Sequence, residues 1–88
     1  MTALRIDSTK GTVLLNLSNV AGALLTKTDD GVEFIALTMI AGANVKAIIC
    51  LAQDGSKIDG NYSHIIEIDF PAERDELNKI MNDIERGM

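Results

Sequence analysis

Tryptophan is absent, and Phe34, Tyr62 and Phe70 are the only aromatic side chains. Three scattered rings cannot form the stacking platform on which single-stranded nucleic acids are held. Basic charge is scarce as well. Eight Lys and Arg stand singly against thirteen Asp and Glu, for a net charge of −5. A phosphate backbone is repelled on average, and no basic stripe offsets this, so direct nucleic-acid binding is not expected. No apolar run approaches the roughly 20 residues a membrane helix requires. The start, MTALRIDSTKG, lacks the basic, apolar and small-residue succession of a secretory signal, so a cytoplasmic location is expected.

Reactive side chains are equally sparse. Cys50 is the one cysteine, which excludes an internal disulfide, and Ile48, Ile49 and Leu51 around it favour a small buried hydrophobe. His64 is the one histidine. One Cys and one His cannot make a structural zinc site within a chain, and no serine lies in a nucleophile elbow. A Cys50–His64 pair would meet a thiol pKa raised by apolar neighbours. The seven glycines are dispersed, outside any phosphate-binding or dinucleotide fingerprint. No catalytic residue, cofactor or metal is therefore assigned, and the chain is not expected to be an enzyme.

What is present is β-rich. With 88 residues, 47% apolar and 24% charged, the chain has the balance of one globular domain, neither disordered nor fibrous. Its centre is Val32 to Ala52, VEFIALTMIAGANVKAIICLA, two apolar stretches around Ala41-Gly42-Ala43-Asn44, a β-hairpin pattern. Alternation puts Phe34, Ala36 and Thr38 on one face and Ile35, Leu37 and Met39 on the other; the partner strand sets Ala47 and Ile49 against Ile48 and Cys50. Both faces are apolar, so both need cover. Upstream, Thr28-Asp29-Asp30-Gly31 is turn chemistry that pairs Val20–Thr28 with the central strand. Thr12–Leu17 is another strand, with Val13, Leu15 and Leu17 on one side, and Ala3–Ser8 a short first one.

Gln53 to Ser63 is the longest polar stretch and has no period, which marks a loop and a candidate partner-binding surface through Asp54, Ser56, Lys57, Asp59, Asn61 and Tyr62. A calcium loop is excluded there, because Ile58, Asp59 and Ile65 fall where a ligand, a glycine and a bidentate glutamate are needed. His64 to Phe70 alternates as a half-buried strand. Pro71 ends it and opens a helix running to Arg86, whose Leu77, Ile80, Met81 and Ile84 form one apolar stripe.

The pattern predicts an α+β fold: an antiparallel sheet of about five or six strands over residues 3–70, bent or partly closed, with one C-terminal helix over 71–86 packed on it. This order of elements is similar to the small pleckstrin-homology-like barrels, a likeness of order alone that transfers no function. One helix covers one sheet face. The other must be closed by the sheet curling or by a second copy of the chain, so Ile35, Leu37, Met39 and Ile48 are the expected self-association face. The expected function is a non-catalytic interaction module, a homo-oligomer with a dimer favoured, binding a protein partner through a sheet edge or the 53–63 loop. The alternative is a small-molecule or lipid binder with a pocket between helix and sheet.

Overall fold

The computed structural model describes residues 3–40, 46–58, 60, 62, 64–68 and 75–87. Strands β1 (Ala3–Ser8) and β2 (Gly11–Asn16) form an antiparallel hairpin, and β3 (Val20–Lys27), β4 (Glu33–Met39), β5 (Lys46–Leu51) and β6 (His64–Ile68) follow, with helix α1 (Asp75–Gly87) last. The chain is α+β, with an antiparallel framework and a C-terminal helix. Among the described residues six strands lie in two sheets, β1-β2 and β3-β4-β5-β6, so the larger sheet has four strands instead of five or six.

Local chemistry sets the turns. In the first hairpin, Ser8 Oγ donates to the Gly11 carbonyl at 2.6 Å and accepts from the Lys10 N–H at 3.3 Å. Between β2 and β3, Asn16 Oδ1 accepts from the Ser18 N–H at 3.1 Å and caps a single 3-10 turn, Leu17–Asn19, that bends the chain toward the larger sheet. The β3–β4 turn closes through Gly31 N–H to the Thr28 carbonyl, and Thr28 Oγ1 accepts from the Val32 N–H at 3.1 Å. Gly31 has φ +88°, a left-handed conformation that suits glycine. The β4–β5 turn at 41–45 and the Pro71 helix start lie outside the described residues.

Strands β3, β4 and β5 form the expected antiparallel meander, with Leu25 opposite Ile35 and Ile35 opposite Ile49. Strand β6 departs from it and runs parallel to β5, with Ile49 beside Ile66. A tight turn cannot join parallel neighbours, and residues 52–63 supply the crossover of about a dozen residues that such a connection needs.

Among the described residues neither sheet is closed. The hairpin is tied to β6 at its tip, where the Thr9 N–H donates to the Glu67 carbonyl at 2.9 Å, rather than by a continuous ladder. The helix lies across a sheet face and does not plug a barrel end, so the pleckstrin-homology-like arrangement is not formed. On that face Leu77, Ile80 and Ile84 meet Ile35, Leu37, Ile49, Ile66 and Ile68, and the hairpin adds Ile6 and Leu15. Helix and hairpin thus share the cover of one side. A free helix of this length is marginal in water, and the buried stripe supplies its stability. No described helix is long and apolar enough to cross a membrane.

Candidate functional site

The opposite side of the larger sheet carries Phe34, Ile48 and Cys50, and these are buried with Ile58 while Val32, Ala36 and Tyr62 pack around them. The crossover is the cover. It leaves β5 through Gln53, whose φ of +74° turns the chain back over the sheet and whose N–H donates to Glu67 Oε2 at 3.0 Å. A 3-10 turn, Gly55–Lys57, then crosses so closely that a Cβ at Gly55 would lie 2.9 Å from Ile65 Cγ2 and 3.6 Å from Cys50 Sγ. Only a glycine leaves room for backbone at that distance. Ile58 follows and enters the apolar cluster.

These positions decide what the expected surfaces are made of. Ile35, Leu37 and Ile48 are all 0% exposed within the single chain, and Met39 is half-buried. They do not share a face: Ile48 stands opposite Ala36, on the crossover side, whereas Ile35 and Leu37 stand opposite Ile49 and Ala47, on the helix side. The four residues therefore form no common exposed patch. The chain itself covers the centre of the second face, over Phe34, Ile48 and Cys50, and leaves Leu24 and Ile65 exposed at its margins.

In the expected partner loop, Asp54 is half-buried and Lys57 Nζ lies 3.8 Å from Asp54 Oδ1. Ser56 Oγ donates to the Gln53 carbonyl at 3.3 Å. Tyr62 leans on the crossover-side cluster. Asp59 and Asn61 lie outside the described residues. Much of this loop is thus engaged with its own sheet.

The thiol and the imidazole are kept apart. Cys50 is beside Glu67 on the crossover side, and His64 is beside Ala47 on the helix side. Burial, with the Glu67 and Asp54 carboxylates adding to it, pushes the Cys50 thiol up from 9.0 to about 11. A thiol in that state is protonated at neutral pH and a poor nucleophile.

Two features were not singled out from the sequence. The first is a cleft of about 620 Å³ between the β1–β2 hairpin and the end of the larger sheet where Met39, Ala47 and His64 lie. Val13, Leu15 and Ile66 deepen it, and Ser8 to Thr12 and Asn19 form its rim. Ser8-Thr9-Lys10-Gly11 carries turn signals alone, so nothing local announces that it faces a concavity. A pocket was expected between helix and sheet; between the helix and β1 there is a groove of about 150 Å³ whose lining includes Arg5, Asp7, Glu76 and Lys79.

The second is the outer edge of β3. This strand pairs with β4 on one side, and among the described residues no strand pairs with its other side. Its text, VAGALLTK, holds one charge, at Lys27, and Leu24 is 59% exposed. A register shift between Val20 and Gly22 kinks one end, leaving Gly22–Lys27 regular. Compared with known protein families, with curated proteins and with solved structures, the chain matches none.

Proposed function

We propose that the chain is a non-catalytic interaction module that self-associates by pairing the edge of β3 with the same edge of a second copy. The observation that carries this reading is the β3 edge: regular over six residues, almost uncharged, and with an exposed leucine, Leu24, at its middle. An unprotected edge presents unpaired backbone donors and acceptors to any strand that fits. The other edge of the sheet, β6, is met at Glu67 by the Thr9 N–H of the hairpin, whereas among the described residues no strand pairs with the outer edge of β3.

Self-pairing suits the residues. A two-fold axis normal to the sheet keeps equivalent faces together, so residue i meets a position of the same parity. Centred on Leu24, it sets Leu24 against its copy, Ala23 against Leu25 and Gly22 against Thr26. Lys27 then faces Ala21, six residues from the partner's Lys27. At about 3.4 Å per residue the two ammonium groups are about 20 Å apart, beyond a screening length of about 8 Å. Repulsion between them is therefore small. An interface of one edge strand falls in the small, transient class, which implies a dissociation constant of roughly tens of micromolar.

Sedimentation equilibrium of the wild-type chain and of Leu24→Lys tests this. The wild type is expected to dimerise over about 10–300 μM, and the variant to stay monomeric with an unchanged circular-dichroism spectrum. A wild-type chain that remains monomeric to about 1 mM, or a variant that dimerises equally well, refutes the proposal.

A further inference from the structure

The cleft beside the hairpin separates polar from apolar groups by depth. Its floor is Val13, Leu15, Met39 and Ala47, and the charged side chain at its mouth is Lys10, with the His64 imidazole also lining it. Glu67 contributes its backbone and not its charge. Its carbonyl accepts from the Thr9 N–H at 2.9 Å, while its carboxylate is turned to the opposite side of the sheet, 3.0 Å from the Gln53 N–H. An apolar space with a cationic mouth thus exists in a chain of net charge −5. The Thr9–Glu67 bond fixes one wall before any ligand arrives, which lowers the ordering cost of binding.

We infer that this cleft binds a monomeric amphipathic carboxylate, its apolar chain over Val13, Leu15 and Met39 and its head at Lys10. One ammonium matches one negative charge, and a volume of about 620 Å³ lies within the roughly 300–1,000 Å³ of small-molecule sites. A bilayer is the wrong partner: the site is concave, and the net negative chain is repelled by an anionic leaflet. The surface is separate from the β3 edge, so either proposal stands without the other.

Decanoate, decanol and decyltrimethylammonium serve as probes in a backbone amide NMR titration. Decanoate is expected to shift the amides of Thr9–Leu15, Ala47 and Ile66 saturably, decanol to bind the same place more weakly, and the cation not to bind there. Lys10→Glu, at an exposed position, is expected to keep the fold, weaken decanoate about five-fold and leave decanol unchanged. Shifts that do not saturate, shifts centred on the exposed Leu14 and Leu24, equal binding of the cation, or sedimentation with anionic vesicles in place of a decanoate response would each overturn the inference.

Discussion

Replacing Ile58 by alanine removes the side chain through which the crossover enters the sheet. Three carbons leave a site that is 7% exposed and packed against Phe34, Ile48 and Cys50. At about 0.8 kcal/mol per buried carbon the transfer loss is about 2.4 kcal/mol. A residual cavity adds to it at about 24 cal/mol per Å³. Loop backbone can settle part of the way into the gap, so the expected total is about 2.5–4 kcal/mol. Domains of this length have a stability of about 4–13 kcal/mol, which makes the loss a large share of the whole. Urea denaturation followed by circular dichroism measures it. With a slope near 1 kcal/mol/M, the midpoint should fall by roughly 2.5–4 M, or the variant should be partly unfolded without denaturant. Leu14→Ala, at a position 70% exposed, is the control and should change little. An Ile58→Ala midpoint within the error of that control would refute the claim that this side chain seals the sheet.

Two further outcomes follow from the same region. Below pH 9 the Cys50 thiol is protonated in folded and unfolded chains alike, so its contribution is constant; between pH 9 and about 11 the unfolded chain ionises first, and stability falls by at most about 1.4 kcal/mol per pH unit. Cys50→Ala lacks that slope, so the urea midpoints of wild type and variant should converge between pH 8 and 10.5, and parallel curves would count against the burial of the thiol. Gln53→Gly relieves a left-handed residue at the first turn of the crossover and should raise stability by about 0.5–1 kcal/mol in the same assay; a loss would mean that the turn does not have this conformation.

The legible parts of the fold were those with a local period or a local turn. The Leu77, Ile80 and Ile84 stripe is buried as its spacing demands, and alternation within each strand sorts Ile35 and Leu37 from Phe34 in β4 and Ile49 from Ile48 in β5 as written. Thr28 and Gly31 close their turn through bonds between neighbours. Hidden parts depended on distant pairing. Ile58 and Tyr62 are lone apolar residues in a polar stretch, and no period reveals that they return to cover β4 and β5. The length of 52–63 was the available sign of a crossover, since a hairpin needs only a few residues. Joining Ile48 to Ile35, Leu37 and Met39 overlooked cross-strand register, which pairs Ile48 with Ala36. The cleft was invisible for a similar reason: Lys10 and Val13 of the hairpin, Met39 and His64 come from three separate segments.

The central claim is that residues of the same chain shield both sides of the four-stranded sheet. Cys50, fully buried beneath the crossover, is a built-in reporter of the second side. The most direct measurement is the rate at which a disulfide reagent modifies this thiol in native buffer, across protein concentrations from well below to well above any dimerisation. The account expects modification at least about a thousand-fold slower than for a free cysteine, limited by local opening and equally slow at every concentration. Rapid modification of the dilute chain, with protection appearing only as concentration rises, would show that a second molecule is the cover and would contradict it.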